Sequence, residues 1–564
     1  MLYNRKTPGV YITELAAFPP SIVGVQTAVP AFIGYTKQAQ LSGKPVYMKP
    51  IRIGSLADFQ EIFGGEYDPV YKIEEVDADA DVEAHRYDFK VFDPNPTPVA
   101  GGSEAPPTYK YYNLTRDPAY PQYNLYNSMR LFYANGGGNC YVVSVNSYQK
   151  PDGAFNPVDK QALIDGLNVI KEQAGPTMLV VPDAVLLPRS TPPTGLKPPY
   201  SSDFGAVIQE MLQQCRILQD RVAILDVYGS QDITRTVDNH VVTLADVIDN
   251  FHVEVGTEAL NYGMAYFPFL HTTVVPVSDY DFTNLDPIPA SSGANESLQT
   301  ILSWQNKNLY WDWAKDEATP RYTQVEMKIA EMVALASVKP LDLKAVTSVS
   351  QDLTAMLPLL GDLYRLILTK NDVLPPSPAM AGVYTYVDAT RGVWNAPANV
   401  TLSAVDRTTY KLNSDQQGDL NVPVDGKAVD VIREFVGRGN VVWGARTLDG
   451  NSNDYRYIQV RRTLIYIEQS IKNSLNTFVF SPNDGNTWVT VTSMISNFLQ
   501  GVWSAGGLMG ATADEAYTVQ CGLGSTMTGL DILNGYMIVQ VTLQMIRPAE
   551  FIELTFKQKM EGVG

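Results

Sequence analysis

The amino-acid sequence predicts a multidomain protein of mixed α/β and α+β class. Its 564 residues exceed the length at which a single hydrophobic core keeps growing, so about two to four domains are expected. Apolar segments typical of strands alternate with amphipathic helical segments from about residue 27 to residue 270, which indicates a largely parallel sheet covered by crossover helices. Residues 27–36 form a continuous apolar run bounded by Pro and Gly, as expected for a strand buried on both faces.

The first half of the chain carries the clearest pattern. Residues 8–15 alternate between apolar and polar side chains after a Pro-Gly pair and predict a strand. Residues 66–124 are rich in Asp, Pro, Tyr and Gly, which indicates an exposed, β-rich inserted subdomain. Beyond it, helices and strands take turns, with helices predicted at 125–132, 160–173, 206–219 and 244–251 and strands at 140–145, 178–181, 222–227 and 264–270.

The second half is more helical. Residues 277–300 are predicted to form a loop, and helical periodicity then covers 302–313, 324–338 and 353–368. The Pro-rich segment 374–382 is the predicted domain boundary. The C-terminal part is predicted to contain helices at 427–436, 457–475 and 490–501, strands at 517–521 and 536–544, and a last alternating strand at the end of the chain.

The predicted domain organisation follows from these patterns. Residues 1–26 form an N-terminal segment, 27–373 a middle α/β domain with the insertion at about 66–124, 374–547 a C-terminal α+β core domain, and 548–564 a C-terminal segment. We see no internal repeat of fixed period in the sequence.

Charge and cysteine content exclude several classes of protein. The formal net charge of −18 and the pI of about 4.7 disfavour nucleic acid as a partner, because an acidic surface repels phosphates. Three widely spaced cysteines cannot build a disulfide framework or a CxxC-type zinc site and are predicted to be reduced. The N-terminus lacks a signal-peptide pattern, and no apolar run is long enough to insert in a membrane, so we expect cytoplasmic synthesis and assembly.

A search for catalytic and ligand-binding motifs indicates that the protein is not an enzyme and needs neither metal nor cofactor. The four histidines include no HExxH pattern, and the HxE pair of His252 and Glu254 has no accompanying cysteine pair. The glycine run at 135–139 follows a helix and precedes a strand, the reverse of a phosphate-binding loop, and is interpreted as a tight turn. No P-loop and no GxSxG elbow occur in the sequence.

Six segments, in this order along the chain, resemble the tail sheath family of contractile phages, R-type bacteriocins and related extracellular injection systems. They are PGVYITEL at 8–15, TAVPAFIGYT at 27–36, LFYANGGGNCYVVSV at 131–145, DATRGVWNAPAN at 388–399, VVWGARTL at 441–448 and PAEFIELTF at 548–556. The last three are the most specific, and together the six span nearly the whole chain.

The resemblance implies a structural subunit that polymerises as stacked hexameric rings around an inner tube and contracts to drive the tube through a target envelope. It implies that residues 1–26 and 548–564 are N- and C-terminal arms that add strands to the sheets of neighbouring subunits, which is physically reasonable because an open strand edge accepts a donated strand. It also implies that residues 374–547 form the inner layer around the tube and that residues 27–373 lie on the outside. The arm residues are Val10, Tyr11, Ile12, Thr13, Phe551, Ile552, Leu554 and Phe556, and the residues expected in the core or at subunit contacts are Arg391, Trp394, Trp443 and Arg446.

The resemblance also implies the partners and the location. The partners are further copies of the chain, the tube protein, baseplate and terminal cap proteins and, in a sheath that is recycled, an AAA+ ATPase. The protein would be part of a phage tail or of a phage-tail-like particle of a kind that can be released from the cell.

Two other classes of function stay open. A surface-exposed tail fibre or adhesin is suggested by the polar insertion and the many aromatics, although the repeats usual in fibres are missing from the sequence. A tail-associated cell-wall hydrolase ranks third, because no nucleophile, metal or nucleotide motif was found.

Overall fold

The computed structural model of the chain describes residues 21–76, 87–94, 108–288, 297–338 and 340–554. The chain divides into two compact units. The larger unit comprises residues 28–386 and 397–451, and the smaller unit comprises Met1–Thr27, Val387–Ala396 and Ser452–Gly564. Neither unit is a single continuous segment.

The larger unit is built on an eight-stranded sheet. Its strands are β1 (Pro30–Thr36), β2 (Ile51–Ile53), β3 (Cys140–Ser147), β4 (Met178–Val180), β5 (Val222–Asp226), β6 (Gly263–Phe267), β7 (Asp430–Phe435) and β8 (Gly439–Val442). The spatial order is β8-β7-β6-β5-β4-β1-β3-β2. All pairs from β3 to β7 are parallel, and only β2 and β8, at the two edges, are antiparallel to their neighbours. The prediction of a largely parallel sheet is therefore confirmed.

Helices connect these strands, and all but the helix at Leu56–Phe63 are predicted from the sequence. They are α1 (Leu56–Phe63), α2 (Leu125–Ala134), α3 (Lys160–Lys171), α4 (Ser202–Leu218) and α5 (Leu244–Glu254). The helices α3, α4 and α5 each begin after a capping residue, Asp159, Ser201 or Thr243, whose side-chain oxygen accepts a backbone N–H of the first turn. The helix predicted at 206–219 begins earlier because Ser201 caps it.

The insertion does form strands, and these belong to a larger layer. The strands Tyr71–Glu75, Phe89–Asp93 and Thr108–Arg116 are antiparallel, and Leu285–Asp286 completes a four-stranded sheet beside the first of them. This sheet shares one apolar core with four helices, α6 (Leu298–Tyr310), α7 (Pro320–Ala336), α8 (Leu343–Met356) and α9 (Pro358–Asn371). The single helix predicted at 353–368 is wrong, because the chain breaks at Leu357 and Pro358 starts a new helix.

The helix predicted at 427–436 is also wrong. That segment contains the strand β7, which lies between β6 and β8. Its first half is buried on both faces, with Val431 and Ile432 each 1% exposed. Such a strand does not alternate between apolar and polar residues, so its sequence resembles that of a buried helix.

The proline-rich segment at 374–382 leads into α10 (Ser377–Arg391). The two compact units separate further along this helix, between Tyr386 and Val387, and residues 397–451 with α11 (Ser414–Asn421) lie in the larger unit. The predicted inner domain at 374–547 and the outward position of 27–373 refer to an assembled particle, and they stay predictions.

The smaller unit contains the remaining elements. They are α12 (Ile458–Leu475), α13 (Gly485–Ser504), α14 (Ala513–Ala516), β9 (Tyr517–Gln520), α15 (Gly529–Leu533) and β10 (Gln540–Leu543). One apolar cluster joins Ile22 and Ile467 to the buried side of α13. The helices predicted at 457–475 and 490–501 and the strand predicted at 517–521 are confirmed, and the strand predicted at 536–544 is confirmed in shortened form.

Candidate subunit-contact surface

At the position where sheets of this kind commonly bind a ligand, the main sheet carries a buried carboxylate of its own. In doubly wound sheets, ligands bind where the chain leaves two adjacent parallel strands in opposite directions, which here are β1 and β4. The fully buried Asp183 lies there and accepts hydrogen bonds from the backbone N–H of Tyr35 (2.8 Å) and of Asn124 (2.6 Å), just before α2. Burial raises the pKa of Asp183 to about 6. The carboxylate of Asp183 thus occupies the place where a bound anion would accept these N–H groups.

The histidines within the described residues each face one carboxylate. A ring nitrogen lies 2.8 to 2.9 Å from a carboxylate oxygen in the pairs His240–Asp246, His252–Asp425 and His271–Asp372. His252 and Glu254 do not share a partner, since Glu254 accepts from the backbone N–H of Ser201. In the part of the chain that the structure describes, no group of three or more His, Cys, Asp or Glu is arranged to hold a metal. His85 lies outside this part.

The strands β9 and β10 form a two-stranded ribbon with free edges. Over the lengths of the two strands each pairs only with the other, among the residues described. The half-buried side chains are Tyr517, Val519, Val541 and Leu543, which pack on the apolar cluster that contains α13, while the residues between them are exposed. The edges therefore present backbone N–H and C=O groups to which further strands can bind.

The segment around the ribbon has very few charges. Residues 485–546 contain only three charged side chains, those of Asp514, Glu515 and Asp531. Seven large apolar side chains of the same segment are between 43% and 84% exposed: Val489, Met509, Leu523, Leu530, Leu533, Tyr536 and Ile538. Depletion of charge together with exposed apolar and aromatic groups is typical of a protein–protein contact surface.

The predicted C-terminal arm is only partly described. Phe551, Ile552 and Leu554 are 76%, 78% and 73% exposed, and residues 551–554 belong to no strand of the single chain. Phe556 and the N-terminal arm residues Val10, Tyr11, Ile12 and Thr13 lie outside the described residues. The pairing of the two arms stays a prediction.

Residues 22–27, at the end of the predicted N-terminal arm, bind to α12. The backbone N–H of Val25 donates to the Ser470 hydroxyl at 3.1 Å, and the Arg462 guanidinium donates to the carbonyl of Thr27 at 3.1 Å. Ile22 lies in the apolar core of the same unit. The last residues of the predicted arm at 1–26 are thus bound to the smaller unit. Sequence reasoning missed Arg462 and Ser470, although an arginine pair inside an apolar helical stripe was a usable signal.

The four residues predicted to lie in the core or at subunit contacts have different environments. Arg446 is only 4% exposed, and Trp394 is half-buried against the apolar cluster of the smaller unit. Trp443 is 40% exposed and packs on Phe435, with ring centroids 4.6 Å apart. Arg391 is exposed at the last position of α10. Arg391 and Trp394 belong to the smaller unit and Trp443 and Arg446 to the larger one, and their role in the core or at subunit contacts stays a prediction.

The charge is distributed unevenly between the units. The three segments of the smaller unit hold 10 of the 42 Lys and Arg residues and 11 of the 60 Asp and Glu residues, a balance of −1. The larger unit therefore carries −17 of the total of −18. Within the described residues, no helix is both long enough and apolar enough to cross a membrane.

Comparison with known proteins gives a family-model match for the C-terminal part of the chain. Residues 451–559 match the family model described as the phage tail sheath C-terminal domain. The matched range begins next to Ser452, where the chain enters its last segment of the smaller unit. No curated protein sequence matches the chain.

Solved structures match the chain over nearly its whole length. The sheath complex of the extracellular contractile injection system PVC in the contracted state is 24% identical, with a TM-score of 0.54 and 99% of each chain covered. The contracted helical sheath of the anti-feeding prophage is 24% identical, with a TM-score of 0.53, covering 98% of this chain and 100% of that one. A chain of the contracted anti-feeding prophage baseplate is 20% identical, with a TM-score of 0.54. These likenesses establish the fold.

Proposed function

We propose that this chain, whose residues 451–559 form a phage tail sheath C-terminal domain, is the sheath subunit of a contractile, phage-tail-like injection particle. One observation carries the proposal: a ribbon with two free edges lies in a charge-poor unit whose chain ends in an exposed apolar segment. Neither the fibre nor the hydrolase alternative is favoured by any comparable feature.

The assembly contact is the donation of arm strands. A strand from residues 8–15 of one copy and a strand from residues 548–559 of another copy add to the edges of the β9–β10 ribbon of a third. Each donated strand forms hydrogen bonds with the free backbone N–H and C=O groups of an open edge, while every second side chain of the strand packs against the accepting subunit. Such contacts join different surfaces of the chain, so they propagate into stacked rings of six subunits and do not close a dimer.

The charge distribution supports an inner and an outer layer. The smaller unit has a net charge of −1 and many exposed apolar side chains, which suits a surface covered by other subunits. The larger unit carries −17, which suits a surface that faces water and keeps the particle soluble. In this arrangement the smaller unit lies toward the tube and the larger unit lies outside.

Contraction requires no nucleotide in this account. The strand-linked smaller units stay connected while the larger units rotate outward into more extensive contacts, and the difference in free energy between the two packings drives the shortening. The partners are further copies of this chain, a tube protein, baseplate and cap proteins, and an AAA+ ATPase where the sheath is recycled. The particle acts outside the cell in which it is assembled.

The direct test is to purify the full-length chain and a variant lacking residues 1–14, and to image both by negative-stain electron microscopy. We expect regular tubes from the full-length chain and folded monomers from the truncated one. A matched control is Met327→Ser with Leu343→Ser, which removes two exposed apolar side chains from the larger unit and leaves both arms intact.

Two results would contradict the proposal. One is normal long tubes from the truncated chain, which would show that the N-terminal arm does not link subunits. The other is a full-length chain that stays monomeric with and without its tube partner.

A further inference from the structure

The hairpin β7–β8 at one edge of the main sheet ends in an exposed patch of aromatic and basic side chains. We name this patch the hairpin tip and define it by Arg433, Phe435, Val436, Arg438 and Trp443. Val436 is fully exposed, at 105%, in the turn between the strands, and Trp443 is 40% exposed beside Phe435. The tip thus presents apolar surface next to two guanidinium groups.

The two arginines of the hairpin tip have neutral partners. The Arg433 guanidinium lies 5.8 Å from the ring centroid of Phe435 and donates a 2.5 Å hydrogen bond to the side-chain oxygen of Gln417. Among the described residues, no carboxylate oxygen lies within 4.0 Å of this guanidinium. The aromatic ring and the amide orient the charge without neutralising it.

Arg438, in the turn just before β8, repeats the arrangement. Its guanidinium lies 6.0 Å from the ring centroid of Trp443 and donates a 2.7 Å hydrogen bond to the side-chain oxygen of Asn399. It too has no carboxylate within ion-pair distance in the part of the chain that the structure describes.

Exposed arginines elsewhere in the same unit differ in their partners: Arg216 and Arg321 donate to the side-chain oxygens of Gln213 and Gln324, whereas two others pair with carboxylates. Arg365 lies 2.7 Å from Asp362, and Arg407 lies 2.8 Å from Asp406. The hairpin tip therefore keeps two oriented positive charges available in a unit whose net charge is −17. Arginine and tryptophan, held rigid and partly exposed, are the residues that most often dominate binding energy at protein interfaces.

We propose that the hairpin tip docks on a carboxylate-bearing face of the larger unit of a second copy of this chain. Charge complementarity favours that occupant, because the larger unit offers 49 Asp and Glu against 32 Lys and Arg residues. The contact rests on the proposed function and adds a lateral link between larger units, separate from the arm strands. Arg433 and Arg438 pair with carboxylates there, while Val436 and Trp443 exclude water from the pairs.

The test compares two double variants that lose the same charge. Arg433→Gln with Arg438→Gln removes the free guanidinium groups, and Arg365→Gln with Arg407→Gln removes two that already have partners. For each we measure the lowest protein concentration that gives tubes, at low and at high NaCl, and the thermal midpoint of the unassembled chain as a check of folding.

We expect the hairpin-tip variant to need about tenfold more protein for assembly and to lose much of the salt dependence seen in the wild type. The control variant should assemble within about twofold of the wild type. A third variant, Arg433→Lys with Arg438→Lys, keeps the charge but not the stacked guanidinium and should recover most of the salt dependence.

If the hairpin-tip variant assembles at the same protein concentration as the wild type, this proposal alone is overturned. The same holds if both glutamine variants need an equally raised concentration. A wild-type chain that forms no tubes overturns the proposed function and this inference together.

Discussion

Arg462 and Asp388 form a buried, bidentate ion pair that joins α12 to α10 within the smaller unit. The guanidinium nitrogens Nη1 and Nη2 lie 2.8 and 2.7 Å from the two carboxylate oxygens, and the side chains are only 3% and 5% exposed. The same guanidinium donates to the carbonyl of Thr27, the last residue of the smaller unit's first segment. The pair thereby fixes the base from which the N-terminal arm extends.

The first prediction concerns this ion pair. Arg462→Met leaves Asp388 buried and unpaired, so we expect a loss of about 3–5 kcal/mol in the free energy of unfolding, measured by urea denaturation. The double variant Arg462→Met with Asp388→Leu should lose less than the single variant, since no uncompensated charge is left. Arg365→Met, at an exposed pair, is the control and should change little. A single variant as stable as the wild type would refute this role.

The second prediction concerns Gly382 in α10. A Cβ atom at this position would lie 2.6 Å from the carbonyl oxygen of Phe132 and 2.9 Å from the Cβ of Asn135, where α2 leads into the glycine turn. Gly382→Ala should therefore destabilise the larger unit by about 1–3 kcal/mol through overpacking.

Gly418→Ala in α11 is the matched control for Gly382, because a Cβ there meets no atom within 4 Å. Alanine at that helical position should stabilise slightly. Thermal unfolding of both variants distinguishes close packing from a general effect of glycine replacement, and equal shifts in the two would argue against the contact.

The third prediction concerns the pH dependence of stability. Burial raises the pKa of Asp226 to about 7 although it accepts hydrogen bonds from the N–H and hydroxyl of Ser377. In the unfolded chain an aspartate ionises near pH 3.9, so between about pH 4 and pH 7 unfolding releases a proton. The free energy of unfolding should then fall as the pH rises through this range. Glu254, with a pKa raised to about 8 by burial, acts in the same direction.

The variant Asp226→Asn isolates this contribution. It keeps an oxygen that can accept from the Ser377 N–H but cannot ionise. We expect its stability, measured by urea unfolding at several pH values, to fall less steeply with pH than that of the wild type, by up to about 1.4 kcal/mol per pH unit. Parallel curves for the two proteins would show that Asp226 is already ionised in the folded chain.

The fourth prediction concerns the exposed apolar end of the chain. Replacing Phe551, Ile552 and Leu554 with serine should leave the thermal midpoint of the monomer unchanged, because these side chains are at least 73% exposed. Tube formation should be lost, since the C-terminal arm would keep only Phe556 of its four named apolar side chains for the pockets of its acceptor. Light scattering follows assembly in the variant. A lowered thermal midpoint would mean that this segment packs on its own chain.

The sequence predicts the crossover half of the larger unit well. β1 and β5 are continuous apolar runs, and α3 has an apolar stripe at helical spacing. Such patterns depend on residues close together in sequence, and the structure contains all three elements. The helix predicted at β7 is wrong, because burial on both faces of the strand removes the alternation of apolar and polar residues. The sharing of one core between the insertion and the helices up to α9 depends on contacts far apart in sequence, which periodicity does not record.

The candidate contact surface was predictable only in part. Alternation at the C-terminus predicts a strand, and the family resemblance implies that this strand is an arm. Phe551 and Ile552 are exposed in the single chain, and the arm stays a prediction. The ribbon has free edges because no further strand of the chain lies beside β9 or β10 among the described residues. Arg433 and Arg438 lack a carboxylate partner for the same kind of reason, since no Asp or Glu of the described chain lies close enough to them in space. No sequence pattern carries that information.

The central claim is that arms from other copies complete the β9–β10 ribbon, and cryo-electron microscopy of tubes assembled from the full-length chain tests it most directly. The account predicts a four-stranded sheet in which residues 8–15 of one neighbour and 548–559 of another lie along the two edges of the ribbon. A map in which both arms fold back on their own chain and the ribbon edges stay empty would contradict it.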